Sequence, residues 1–121
     1  VKIAVVPSPR LSGAKENRKV HESQVLNHLR EHRIDWIFLA GYMRILGETL
    51  LSEYSANGKS RIVNIHPSFL PAYPGLHAYE RSFEAKEEFG GITVHLVDEG
   101  MDTGPVLKQE GKAVRILFWQ G

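Results

Sequence analysis

The sequence contains no cysteine and no long apolar run. Without cysteine there is neither a disulfide framework nor a thiolate zinc site. No apolar stretch approaches the roughly 20 residues that span a bilayer. Charge is balanced as well, with 15 basic and 14 acidic residues and a net charge of +1, so nothing indicates a nucleic-acid surface. We therefore expect a soluble, cytoplasmic protein without a membrane or nucleic-acid partner.

The residues that are present suit one globular domain, residues 1–121, of which 42% are hydrophobic. Apolar and β-branched patterns predict strands over 1–6, 36–40, 61–65, 92–97 and, at an edge, 106–109. Helical spacing predicts helices over 18–32, 48–54 and 75–89, and Asn57-Gly58 predicts a turn that leads into the strand over 61–65. In the last of these, one side carries Leu76, Tyr79 and Phe83. This alternation predicts the α/β class, with a mostly parallel sheet and helices on both faces.

A polar pair lies in the third predicted strand. Side chains alternate along a strand, so Asn64 and His66 point the same way. Pro67 and Pro71 then end the strand and stiffen the following chain. Open α/β sheets place their chemistry at the carboxyl ends of strands, so the pair indicates an active site. Capping of loop backbone is the alternative.

A short acidic loop follows the next strand. The segment Asp98–Pro105 holds three acids and two glycines, a composition that suits a carboxylate held against an imidazole better than a hydrophobic core. Thr93, His95 and Val97 share one face of the preceding strand. The role of His95 is left open.

Three segments in this order resemble the folate-dependent formyltransferases. They are LAGYMRIL at residues 39–46, NIHPSFLPAYPGLHAYER at 64–81 and GITVHLVDEGMDTGPV at 91–106. The similarity runs from about Arg18 to about Gln109. It implies a Rossmann-like formyltransferase fold. It also implies transfer of a formyl group from 10-formyltetrahydrofolate to the amine of glycinamide ribonucleotide in purine biosynthesis.

The resemblance implies three catalytic residues. His66 would be the general acid and oxyanion partner, and Asn64 would donate a hydrogen bond to the formyl oxygen. Asp102 would hold His66 charged and oriented. His77, although it lies in the same motif, is interpreted as structural.

The resemblance also implies a folate site. In it, Arg18 would meet the glutamate tail, one segment would line the pterin, and the acidic loop would close the other side. The implied folate-binding residues are Arg18, Met43, Arg44, Ile45, Leu46, Asn64, Asp98, Glu99, Gly100, Met101 and Asp102. Core packing is the alternative for Ile45 and Leu46, and a solvated charge for Arg18. No metal is implied, and a homodimer is left open.

Relative to that family, we expect the domain to be incomplete at both ends. Family members begin with an earlier strand and a phosphate-binding turn, which nothing before Val1 supplies, and residues 112–121 match no closing helix of the family. Two other readings stay open. One is another folate-dependent formyltransferase or a formyltetrahydrofolate deformylase, although deformylases tend to carry a second histidine where this chain has Pro67. The other is a non-catalytic folate-binding fragment.

Overall fold

The computed structural model describes residues 2–8 and 13–113. Within them the helices are α1 (Ala14–Glu31), α2 (Glu48–Tyr54) and α3 (Ala78–Glu84). The strands are β1 (Ile37–Ala40), β2 (Ser55–Ala56), β3 (Lys59–Ser60), β4 (Ile62–His66), β5 (Phe89–Leu96) and β6 (Val106–Ala113). Among these helices, none has the length and apolar composition needed to cross a membrane.

In the described part of the chain the main sheet has the order β1-β4-β5-β6. The α/β class is confirmed, but the sheet is mixed rather than mostly parallel. Strand β1 pairs parallel to β4, whereas the pairs β4–β5 and β5–β6 are antiparallel. Residues 67–88, which connect β4 to β5, are numerous enough for a parallel crossover, yet they contain only the short helix α3 and bring the chain back in the antiparallel direction.

The core lies on one face of β1 and β4. Helices α1 and α2 pack there, and the buried residues of this cluster are Leu26, Leu46, Leu50, Tyr54 and Ile62. On the opposite face, Phe38 is 74% exposed and Ile65 is half-exposed. Helices therefore cover one face of these two strands. The strand predicted over 36–40 is found, but it is not buried: Ile37 and Leu39 are only partly buried and the other residues are exposed.

The first predicted strand is wrong within residues 2–6, which have no regular structure and leave Ile3 and Val5 exposed. Val1 and residues 114–121, for which expectations were also stated, lie outside the described residues. Alternation alone does not form a strand, because its backbone groups need a neighbouring strand, and none pairs with residues 2–6 in the described chain.

Helix α3 is much shorter than the predicted 75–89. Gly75 and His77 before it, and Lys86 after it, all have positive φ, which is incompatible with a continuous right-handed helix. The side formed by Leu76, Tyr79 and Phe83 stays largely exposed. Helix α1 begins earlier than predicted and β6 extends further, while the predicted α2 and the turn at Asn57-Gly58 are confirmed.

Helix α2 is capped from α1. Gly47 precedes α2 and has no side chain with which to cap it. The carboxylate of Glu22 instead accepts hydrogen bonds from the backbone N–H of Gly47 at 2.7 Å and of Leu50 at 3.1 Å. Glu22 is only 1% exposed. A negative charge at a helix N-terminus also complements the helix dipole, so this contact ties the two helices together.

The hydroxyl of Tyr42 is buried and, among the described residues, has no hydrogen-bond partner. Burial and, to a smaller extent, Glu22 raise the pKa of Tyr42, so the phenol keeps its proton. A buried polar group without a partner costs about 1–3 kcal/mol. We therefore expect Tyr42→Phe to leave the free energy of unfolding unchanged or to raise it by about 1 kcal/mol. Denaturant unfolding measures this, and a clear loss of stability would contradict it.

Candidate active site

The side chain of His66 lies at the end of β4 with an acceptor at each ring nitrogen. Its Nε2 is 2.7 Å from the carbonyl oxygen of Tyr73, and its Nδ1 is 3.4 Å from Oδ2 of Asp102. The carbonyl of Tyr73 can only accept, so Nε2 carries a hydrogen. The side chain is buried. His66 is therefore held in one orientation, with a carboxylate beside its other ring nitrogen.

Asp102 connects three groups of the site. Besides facing His66, its Oδ2 accepts a hydrogen bond from the backbone N–H of Gly75 at 2.7 Å. Its Oδ1 lies 3.5 Å from Nε2 of His95. The acidic loop thus places one carboxylate between two imidazoles, and the predicted proximity of Asp102 to His66 is found.

Asn64 lies two residues before His66, on the same face of β4. Its Nδ2 is 3.3 Å from Nε2 of His95, the residue directly opposite on β5. Nδ1 of His95 is 2.9 Å from the carbonyl oxygen of Leu96. Four polar side chains, Asn64, His66, His95 and Asp102, therefore form one contiguous cluster.

Three members of this cluster were predicted as catalytic, and the structure brings them together. Sequence reasoning placed His95 on a shared face with Thr93 but found no partner for it. It missed the N–H of Gly75 and the carbonyl of Tyr73 altogether. The only signal for His95 was its position on the strand, since a side chain's cross-strand partner depends on the register of the sheet.

The loop after His66 is fixed by a buried threonine. The hydroxyl of Thr93 donates to the carbonyl oxygen of Ser68 at 2.7 Å and accepts from the backbone N–H of Leu70 at 3.0 Å. Gln109 on β6 donates to the same hydroxyl at 2.9 Å and to the carbonyl oxygen of Leu70 at 2.8 Å. Strands β5 and β6 thereby hold the chain that leaves the active-site histidine.

Tyr73, whose carbonyl accepts from His66, is also anchored through its ring. Its hydroxyl donates to Glu87 at 2.7 Å. This hydrogen bond raises the pKa of Tyr73. The guanidinium of Arg81 lies over the same ring, 5.8 Å from its centre. These contacts fix the position of the carbonyl oxygen that faces His66.

We expect Thr93→Val to lower the free energy of unfolding by about 2 kcal/mol. Valine keeps the shape but removes the hydroxyl, so two buried backbone groups lose a partner. Thermal and denaturant unfolding measure the change. Ser23→Ala, at an exposed serine whose hydroxyl donates to the carbonyl of Lys19 within the same helix, is the control and should shift stability by about 0.5 kcal/mol or less. Equal effects of the two substitutions would contradict the proposal that the Thr93 hydroxyl holds the loop after His66.

The residues expected to bind folate differ in how far they are exposed to solvent. Met43 is 76% exposed and Ile45 is 49% exposed, and Arg44 is exposed too. Leu46 instead belongs to the core cluster, which was the alternative left open for it. Arg18 is half-buried, with its side chain beside Gly47. The role of each in folate binding stays a prediction.

The acidic loop has its own internal structure. The carboxylate of Asp98 accepts from the N–H of Gly100 at 2.9 Å and from the hydroxyl of Thr103 at 2.7 Å. Glu99, Gly100 and Met101 are exposed. Asp98 therefore shapes the turn, while Asp102 is the carboxylate that faces the histidines.

Comparison with known proteins places these features in a family. The family model described as Formyl transferase matches residues 3–117. Phosphoribosylglycinamide formyltransferase of Bacillus subtilis is 50% identical over 101 residues, which are 84% of this chain and 49% of that protein. This chain therefore spans about half the length of that relative.

Solved structures give the same result for the fold. Phosphoribosylglycinamide formyltransferase from Bacillus halodurans matches with a TM-score of 0.72 at 51% identity, covering 79% of this chain and 47% of that one. A formyltetrahydrofolate deformylase from Pseudomonas syringae matches with a TM-score of 0.75 at 30% identity, covering 90% of this chain and 34% of that one. The predicted formyltransferase fold is confirmed, and the chain belongs to the formyl transferase family.

Proposed function

We propose that the intact protein transfers a formyl group from 10-formyltetrahydrofolate to the amine of glycinamide ribonucleotide. The observation that carries this proposal is the cluster in which the carboxylate of Asp102 faces both His66 and His95, with Asn64 beside them. The cluster joins hydrogen-bond donors to a proton carrier, which formyl transfer requires. The high identity to phosphoribosylglycinamide formyltransferase of Bacillus subtilis supports the choice of acceptor.

The reaction forms a tetrahedral carbon. The amine nitrogen of the acceptor attacks the formyl carbon, and the carbonyl electron pair moves onto oxygen. The bond from this carbon to the folate nitrogen then breaks as the oxyanion collapses. One proton leaves the attacking nitrogen and one reaches the leaving nitrogen. The site must therefore stabilise an oxyanion and carry a proton between two nitrogens.

Asn64 and His66 fit these two tasks. One hydrogen of the Asn64 amide is directed at His95, which leaves the other for the developing oxyanion. One such donor contributes on the order of 3 kcal/mol to transition-state stabilisation. The Nε2–H of His66 is directed at the carbonyl of Tyr73, so the substrate must replace that acceptor before the proton can move. Asp102 keeps the other edge of the ring fixed meanwhile.

The formyl donor is proposed to lie against the exposed residues Met43 and Ile45 and the acidic loop, with Arg44 and Arg18 at its charged end. Met43 and Ile45 are apolar side chains exposed to solvent, which suits them to cover the flat ring of a pterin. Substrates with phosphate and glutamate groups do not cross membranes freely, so a cytoplasmic location forms part of the same proposal. A homodimer stays a prediction.

A second candidate is hydrolysis of the formyl donor. The similarity to the deformylase from Pseudomonas syringae, with a TM-score of 0.75, favours it. Water would then replace the amine as nucleophile at the same cluster. Sequence reasoning opposes it, because Pro67 stands where deformylases tend to have a second histidine.

One assay separates these functions. The intact protein is mixed with 10-formyltetrahydrofolate, with and without glycinamide ribonucleotide, and both tetrahydrofolate and formylated ribonucleotide are measured. We expect tetrahydrofolate to appear only with the ribonucleotide and in equal amount to its formylated product. Release of formate without the ribonucleotide would identify the hydrolase instead. Turnover of neither kind by a folded protein would contradict both functions.

A further inference from the structure

His95 is a buried histidine to which the proposed reaction assigns no step. It is 2% exposed and contacts three groups. Its Nδ1 lies 2.9 Å from the carbonyl oxygen of Leu96, and its Nε2 lies 3.3 Å from Nδ2 of Asn64 and 3.5 Å from Oδ1 of Asp102. A buried polar ring needs partners of the right polarity at both nitrogens, and these contacts decide which nitrogen carries hydrogen.

The backbone determines the tautomer. A carbonyl oxygen can only accept a hydrogen bond, so Nδ1 of His95 carries the hydrogen that it donates to Leu96. In the uncharged ring Nε2 is then an acceptor. An Nε2–H aimed at Asp102 would span 3.5 Å, longer than the about 2.7–3.2 Å of an ordinary N–H···O bond.

The tautomer in turn determines which end of the Asn64 amide faces the ring. An acceptor at Nε2 of His95 binds the NH₂ group of Asn64 and repels its carbonyl oxygen. With the amide in the opposite orientation, two lone pairs would face each other in a buried site, which is costly. In this orientation one N–H of Asn64 binds the ring, and the second N–H is held in a fixed direction for the substrate.

We propose that His95 is a positioning residue that fixes the amide of Asn64, with one N–H directed at Nε2 of His95 and the other available to the reacting formyl oxygen. The carbonyl of Leu96 sets the tautomer of His95, and that tautomer sets the orientation of the Asn64 amide. His95 does not touch the substrate in this account. The activity consequences rest on the proposed formyl transfer, whereas the tautomer itself does not.

The first test is nuclear magnetic resonance of the histidine rings in the intact protein at neutral pH, which needs no substitution. We expect the ring nitrogens of His95 to show hydrogen on Nδ1 and a bare Nε2. Hydrogen on Nε2 alone, or on both nitrogens, would overturn the proposal. This result stands even if formyl transfer itself is not observed.

The second test compares two variants of matched size. In His95→Gln the side-chain oxygen can occupy the position of Nε2 and accept from Asn64, whereas His95→Leu fills the space without an acceptor. We expect His95→Leu to lower kcat about 10²-fold, with little change in KM. His95→Gln should stay at least about tenfold more active than His95→Leu. Equal kcat for both folded variants would contradict the proposal, because a packing role does not distinguish them.

A double substitution identifies the group through which His95 acts. Once Asn64→Ala has removed the amide, His95→Leu should lower kcat no further, because the two residues act as a unit. Additive losses would overturn the proposal. If a variant unfolds, the tautomer measured in the unsubstituted protein decides instead. Absence of formyl transfer by the unsubstituted protein would refute the proposed function while leaving that tautomer measurement as the test.

Discussion

Replacing Asp102 with asparagine is expected to lower kcat for formyl transfer about 10²-fold or more. Asparagine keeps the size of the side chain but removes its charge. Oδ2 both accepts from the N–H of Gly75 and faces Nδ1 of His66, and the oxygen of asparagine can take that position. The loss is therefore the negative charge beside His66. A carboxylate near an imidazole favours the form that carries the extra proton, so proton transfer at His66 would slow.

Steady-state kinetics of the intact protein measure this loss, with thermal unfolding to establish that the variant is folded. Asp35→Asn, at an exposed aspartate outside the cluster, is the matched control and should keep full activity. A folded Asp102→Asn variant with the kcat of the Asp35→Asn variant would show that this carboxylate has no part in the reaction.

Replacing Glu22 with alanine is expected to lower the free energy of unfolding by about 3 kcal/mol. The change leaves the N–H groups of Gly47 and Leu50 without their acceptor at the start of α2. It also removes the negative charge that α1 places at the N-terminus of α2. Hydrogen bonds to charged groups contribute about 1.5–3 kcal/mol each, and a lost helix cap costs about 0.5–2 kcal/mol.

Denaturant unfolding of matched variants tests the effect of Glu22. Glu22→Gln keeps one acceptor oxygen and should lose less stability than Glu22→Ala. Glu31→Ala, at an exposed end of the same helix, should change stability by about 0.5 kcal/mol or less. If Glu22→Ala were as stable as Glu31→Ala, the capping account of α2 would be wrong.

Local signals predicted much of the fold. Asn57-Gly58 does make the turn between β2 and β3, and the alternation around Asn64 and His66 correctly predicts a strand. These features depend on residues close in sequence. The antiparallel direction of β5 against β4 is not a local feature, because the connection of residues 67–88 is long enough for either direction, so the pattern of strands and helices does not encode it.

The short helix α3 shows a second limit. The spacing of Tyr79 and Phe83 predicts a helical face, yet positive φ at His77 and Lys86 confines the helix to seven residues. Helical periodicity reports which side chains could share a face. It does not report how deeply that face is buried, and in the structure both side chains are about half-exposed.

Those residues of the candidate site that lie in the family motifs were predictable from the sequence. Asn64, His66 and Asp102 came from the resemblance and are neighbours in the structure, although their roles stay predictions. The contact of His95 with Asn64 and the cap by Glu22 were not predictable, because each joins residues more than twenty positions apart. Such pairs depend on strand register and helix packing, which only the folded chain defines.

A crystal structure of the intact protein with glycinamide ribonucleotide and a stable analogue of 10-formyltetrahydrofolate tests the central claim most directly. The claim is that formyl transfer occurs at the cluster of Asn64, His66 and Asp102. We predict that the formyl oxygen lies within hydrogen-bond distance of Nδ2 of Asn64, with His66 beside the reacting carbon and its contact to Tyr73 replaced. Binding of the formyl group away from these side chains would contradict the account.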